Sequence, residues 1–162
     1  MRGIQKLLLP VCLILLNSFA IAQNPAKTET QKWNISEADL VAIKQTALDY
    51  CESWYEGNPE KMERALHPDL AKRIVRTDAK SGRSRLEQMS AMGLMQGVRS
   101  GYGKNTPKEK QLKDVFVLDI FGNTASVKAV MSDWIDYMHI AKSNGRWVIV
   151  NVLWEMKPQP QQ

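Results

Sequence analysis

Apolar positions recur at helical spacing early in the chain and at strand spacing later. From Ser36 onward, Leu40, Ile43, Ala47, Cys51 and Trp54 follow one another every three or four residues, with Val41, Leu48 and Tyr55 widening the stripe. This spacing predicts a long amphipathic helix that ends at Gly57. Ser36 followed three residues later by Asp39 resembles a capping box at its start. Asn58-Pro59 then opens a short second helix that carries Met62 and Leu66 inward and stops before "HPDL", residues 67–70. An extended piece over 71–75 and a basic, solvated loop "RTDAKSGRSR" follow. Ser84 and Glu87 predict the cap of a third helix through Leu86, Met89, Met92 and Met95, methionines at that spacing serving either as adaptable core or as the lining of an irregular apolar pocket.

From Val115 the period changes. "VFVLDIF", a turn at Gly122-Asn123, "ASVKAVMSDW", "IDYMHIAK", a turn at Asn144-Gly145 and "WVIVNVLWEM" read as successive strands of a meander. Helices first and an antiparallel sheet afterwards is the α+β layout. The last strand departs from simple alternation, because 147–154 is apolar throughout except at Asn151. Side chains alternate along a strand, so Trp147, Ile149, Asn151 and Leu153 are expected on one face and Val148, Val150, Val152 and Trp154 on the other. On the preceding strand, Trp134, Asp136, Met138 and Ile140 share a face, opposite Ile135, Tyr137 and His139.

The amino terminus changes what the charge implies. The 162 residues carry a formal charge of +5, which on its own suggests nucleic acid or an anionic membrane as partner. However, "MRGIQKLLLPVCLILLNSFAIAQ" has a short basic start, an apolar run from Leu7 to Leu16 and a closing Ala20-Ile21-Ala22, the layout of a secretory signal peptide cleaved after Ala22. The run is shorter than the roughly 20 residues that span a bilayer, and Pro10 interrupts it. Removing residues 1–22 takes away Arg2 and Lys6 and no acid, leaving 20 basic against 17 acidic side chains. The expectation is therefore an exported, periplasmic or secreted protein that meets the membrane only during export and does not bind nucleic acid. The domain plan is a signal peptide over 1–22, a polar lead-in over 23–35, one domain over 36–157 and a Pro/Gln tail over 158–162. Cleavage leaves Cys51 as the one cysteine, so no internal disulfide forms, and its place in the helical stripe reads as a small buried hydrophobe.

Three segments, "ALHPDLAKRIV" at 65–75, "VLDIFGNTASVK" at 117–128 and "DYMHIAKSNGRWVIVNVLW" at 136–154, make the chain resemble the nuclear transport factor 2-like (cystatin-like) superfamily, and within it the group named "putative lumazine-binding". The resemblance covers about 36–157. It implies a cone, a curved sheet wrapped around the long first helix and open at one end to a pocket. In that frame the cone's helices bury one sheet face, and the second apolar row of 147–154 is expected to be covered by a second copy, giving a homodimer through the outer face, with another protein as the alternative cover.

Two candidate centres of chemistry follow. Asp136 stands in a row with Trp134, Met138 and Ile140, so it is either a hydrogen-bonded structural anchor or a cavity carboxylate with a raised pKa. In related cones such as the ketosteroid isomerases a carboxylate of that kind is a general base; by that likeness of roles Asp136 is a candidate catalytic base, with Tyr50 as hydrogen-bond donor. His67 with Asp69 is the second candidate, able to move a proton near the mouth of the cone, or else His67 caps the helix end and Asp69 bonds its own turn. His139 is expected on the outer side. Tyr50, Trp54, Trp134, Met138 and Asp69 are the candidate ligand contacts. Two distant histidines and no paired cysteines give no metal signature, and the absence of a Gly-rich loop or a Gly-x-Ser-x-Gly predicts no nucleotide cofactor and no serine hydrolase. Asn34-Ile35-Ser36 is a glycosylation sequon, relevant only in a eukaryotic secretory route. The expected function is the binding of a small apolar or aromatic molecule without catalysis; the alternatives are a cofactor-free isomerase, cyclase or dehydratase, and a dimeric envelope module whose cone is plugged by its own side chains.

Overall fold

Helix α1, Glu37–Glu56, forms where the stripe lies, but its buried face is rotated slightly from the expected one. Ile43, Thr46, Ala47, Tyr50 and Cys51 are buried, whereas Val41 is exposed. Ser36 caps the helix by accepting the Asp39 backbone N–H at 3.1 Å, and Gly57 ends it in the left-handed conformation. Asn58 then accepts from the Lys61 N–H at 3.0 Å and starts α2, Pro59–Ala65. This computed structural model describes residues 35–158. The segment expected to be a signal peptide, all but the last residue of the lead-in and nearly all of the tail lie outside the described residues.

Six strands form a single curved sheet in the order β2-β1-β6-β5-β4-β3. They are β1 Leu66–Thr77, β2 Ser84–Ser90, β3 Lys113–Phe121, β4 Thr124–Met131, β5 Trp134–Ser143 and β6 Arg146–Met156. All neighbours are antiparallel except β1 and β6, which run parallel. The β5–β6 turn places both Asn144 and Gly145 at positive φ, 49° and 78°, the combination a two-residue hairpin requires. Helix α1 packs on β3, β4 and β6, and its buried side chains join Met138, Ile140, Ile149 and Val152 in one core. The result is the α+β cone.

Two expectations are corrected. Residues 84–90 are a strand, not the opening of a helix. Glu87 does not bond back to a cap; it pairs with Arg76 across the hairpin at 3.0 Å, while Thr77 and Ser84 hydroxyls meet at 2.8 Å. The third helix, α3, spans Ala91–Arg99 and takes Ser90 as its cap. Met89, Met92 and Met95 therefore do not share a helical stripe: Met89 sits on a strand, Met92 is exposed and Met95 is buried.

The second correction concerns β6. Ile149 pairs with Ile140, but the next residue of β5, His139, pairs with Asn151, so Val150 is one residue too many and forms a β-bulge. A bulge resets the alternation. Trp147 and Ile149 face the core before it; Val152 and Trp154 face the core after it, and Leu153 turns outward. Val148, opposite Trp147 and Ile149, is also buried, at 2% exposed, so the first half of the run is hidden on both faces, whereas beyond the bulge Val152 and Trp154 turn inward and Leu153 is exposed. What remains on the outer face is a cross-strand row of Phe116, Lys128, Tyr137, Leu153 and Arg73.

Candidate functional site

Between α1, α3 and strands β1, β2, β5 and β6 lies a cavity of ≈ 350 Å³. Its walls are aromatic: Tyr50 and Trp54 from α1, Trp134 from β5 and Trp154 from β6. Trp134 stands edge-on to Trp54, centroid to centroid 5.5 Å, and to Trp154 at 6.1 Å. Met89 of β2, Leu94 of α3, Met156 of β6 and the exposed Asp133 complete the lining. The α1 stripe brings Tyr50 and Trp54 one helical turn apart to the same end. The β-bulge does the same for Trp154 by turning it inward opposite Asp136.

The floor carries a lysine. Lys72 occupies the inward row of β1 between Leu70 and Ile74, both buried, and is itself only 4% exposed. Its ammonium donates to Asp136 Oδ1 and, at 2.7 Å, to the Tyr50 hydroxyl. The Nζ also stands 4.8 Å from the Trp154 ring centroid, 5.4 Å from that of Tyr50 and 5.7 Å from that of Trp134. Aromatic faces at such distances attract a cation, and the carboxylate compensates it. Burial pushes the ammonium below its ordinary pKa, with the Asp136 charge opposing that shift. Burial, and then the same carboxylate, hold the Tyr50 phenol well above its usual value, so at neutral pH it is a protonated phenol.

Asp136 is 0% exposed and stands behind this floor. Oδ1 accepts from Lys72 and Oδ2 accepts the Trp134 indole N–H at 2.7 Å. The geometry is that of the hydrogen-bonded anchor. A general base must reach the proton it removes, and both Asp136 oxygens are already engaged on the far side of Lys72 and Trp134 from the cavity. Met138 is likewise core, not lining.

His67 and Asp69 lie elsewhere. β1 and β6 lose register between Leu66 and Ala71, where "HPDL" bows out of the sheet. Asp69 is 92% exposed, and its backbone N–H donates to His67 Nδ1 at 3.1 Å. The imidazole thus closes a local turn and does not share the aromatic cavity; it lines a separate surface groove with Leu66, Met92, Met95, Arg99 and Arg146. His139 is on the outer face, beside Asn151 at 3.3 Å. Cys51 is buried next to Tyr50, and its thiol is pushed far up by burial.

The sequence model of the family described as "Putative lumazine-binding" matches residues 38–155. No curated protein matches the sequence. Among solved structures, a nuclear transport factor 2-like protein of unknown function from Shewanella baltica is similar at 17% identity and a TM-score of 0.56, covering 78% of this chain and 100% of that one. One from Methylobacillus flagellatus is 19% identical with a TM-score of 0.56, over 77% and 97% of the two chains. A protein with a cystatin-like fold from Nostoc punctiforme gives 13% and 0.53, over 78% and 97%. At these identities the likeness is one of fold.

Proposed function

The chain belongs to the "Putative lumazine-binding" family of the nuclear transport factor 2-like superfamily, and from that premise we propose that it binds a small aromatic molecule in the cone without transforming it. One observation carries the reading: a ≈ 350 Å³ cavity is walled by Tyr50, Trp54, Trp134 and Trp154 while the one carboxylate behind it is fully engaged by Lys72 and Trp134. That volume falls in the range of roughly 300–1,000 Å³ typical of small-molecule sites, and flat rings present large apolar area at little entropic cost. A cone left open argues against a purely structural module plugged by its own side chains. The same reading has the protein exported, on the strength of residues 1–22, and paired as a homodimer through the outer row Phe116, Tyr137 and Leu153, each about half exposed.

The test is native mass spectrometry of the protein purified gently from the compartment it reaches, together with a titration of lumazine followed by tryptophan fluorescence. A reproducible small adduct, or a saturable quench that Trp134→Leu abolishes, supports the reading. No adduct and no quench at millimolar probe would sink it.

A further inference from the structure

We propose that the pocket selects neutral, planar molecules that present a carbonyl-type oxygen to Lys72, and discriminates against carboxylates of the same shape. The inference rests on the pocket being a binding site and adds the chemical class of what it takes. An ammonium has three N–H donors. Among the described residues Lys72 uses one on Asp136 and one on the Tyr50 hydroxyl, and it lines the cavity. Among the described residues the third is left to the cavity, where it meets ring faces alone: Trp154 at 4.8 Å from Nζ and, farther off, Tyr50 at 5.4 Å and Trp134 at 5.7 Å. A carbonyl oxygen is a far better partner for a buried ammonium than a ring face. It would also be held in the plane of whatever ring bears it, between the mutually inclined indoles.

Charge then restricts the class. Lys72 and Asp136 together sum to zero, so the floor offers a donor without offering net charge. A carboxylate brought in beside them would leave one negative charge uncompensated against largely apolar, aromatic walls, which is costly. The rest of the lining makes this worse: Asp133 adds a negative charge at the rim. Arg76 lies over Trp154 at 5.7 Å but is half exposed and already paired with Glu87. A cationic ligand fares no better, since it would meet the Lys72 ammonium directly. A neutral acceptor is the one class that gains a charge-assisted hydrogen bond and strands nothing.

Three bicyclic probes of similar outline separate the contributions: tetralin, α-tetralone and tetralin carboxylate, titrated into the whole protein at neutral pH with tryptophan fluorescence and calorimetry as readouts. The expected order has α-tetralone about 10- to 100-fold tighter than tetralin, the value of one hydrogen bond to a charged group, and the carboxylate at least about tenfold weaker than the ketone. Lys72→Met should erase the preference for the ketone while tetralin still binds. If that variant does not fold, because Asp136 is left without its partner, the paired change Lys72→Met with Asp136→Leu removes both charges and serves instead. Equal binding of tetralin and α-tetralone, tightest binding of the carboxylate, or a ketone preference that survives loss of Lys72 would each overturn the inference and leave the pocket reading standing. Failure of all three probes to bind would overturn both.

Discussion

Asp136→Asn is the most informative single change, because it removes a charge while keeping the shape. In the native protein the Asp136 carboxylate compensates a lysine that is 4% exposed. Without it the Lys72 ammonium keeps only the Tyr50 hydroxyl and three ring faces, and breaking one half of a buried pair costs about 3–5 kcal/mol. The lysine has an escape: it can fold as the neutral amine, accepting from the new amide nitrogen while the amide oxygen still receives the Trp134 N–H. The cost of that escape bounds the whole effect. Taking an ordinary lysine pKa of about 10.4 for the unfolded chain, neutralising it at pH 7 costs about 4.6 kcal/mol, and at pH 9 about 1.9 kcal/mol.

The sign follows from the proton count. Burial already depresses the folded-state pKa of Lys72, and removing Asp136 takes away the main influence that raises it. The unfolded state then binds more protons than the folded one, so stability rises with pH between the folded pKa and about 10.4. Other groups facing the lysine do not mimic this. Tyr50 and Cys51 are both held protonated by burial, and Asp133 is exposed at the rim. The assay is urea unfolding of wild type and variant at half-unit steps from pH 6 to 9, followed by tryptophan fluorescence. The expected destabilisation is about 3–5 kcal/mol at pH 7, and it shrinks, by up to about 1.4 kcal/mol per pH unit, over the range in which Lys72 is charged in the folded wild type and neutral in the folded variant. A variant whose own stability does not rise with pH over this range, or a destabilisation that grows as pH rises, would refute the account of Lys72 as a buried charge compensated by Asp136.

Three further outcomes are expected. Asp39 has its pKa lowered from 3.8 to about 2, by Lys142 first and then by Trp147 and Ser36, so its contribution is complete above 3.8 and lost as pH falls through about 2; acid unfolding curves of Asp39→Asn should lose that dependence, and unchanged curves would count against it. Gly103→Ala would drive a Cβ into the Trp54 carbonyl oxygen, costing about 1–3 kcal/mol and weakening binding through Trp54; a melting temperature equal to wild type would show the approach is not close. Cys51 should resist iodoacetamide until the protein unfolds, checked by peptide mass spectrometry after labelling with and without urea, and rapid labelling of the folded protein would contradict its burial and raised thiol pKa.

Much of the frame was legible because local signals set it. Ser36, Gly57 and Asn58-Pro59 mark both ends of α1 and the start of α2, and the Asn144-Gly145 pair itself marks the β5–β6 turn. The row of Trp134, Asp136, Met138 and Ile140 was equally readable, since β5 keeps a strict period of two. The β2 strand was not. Ser84-x-x-Glu87 has the spacing of a capping box, and an edge strand exposed on nearly every residue shows no alternation to contradict it. What decides the matter is Arg76 and Arg73 on β1, partners that no local window contains. Lys72 was missed for a related reason. A lysine in a short extended piece is ordinarily solvated, and the signal that it is not, a charged residue between Leu70 and Ile74 in one inward row, points to a missing countercharge without saying where that charge is. The countercharge is 64 positions away.

The bulge at Val150 joins these two blind spots. Continuous apolar sequence is the same whether a strand hides two faces or changes faces midway, so the residues of 147–154 alone cannot separate the cases. The sheet separates them through register. Across β6, Lys72 stands level with Val152 and Val152 with Met138, while Asp136 stands level with Trp154. Lys72 and Asp136 are therefore diagonal neighbours over β6, near enough for the long lysine side chain to reach. Had β6 kept the parity of Trp147 and Ile149, the inward residues beyond it would be Asn151 and Leu153, and Trp154 would point outward. The pocket would lose a wall, and the ammonium would lose the ring face nearest to it. One extra residue in β6 thus turns a plain core strand into one whose far half closes an aromatic box around the buried pair, which is the physical reason Trp154 turns inward and the pocket has its fourth aromatic wall.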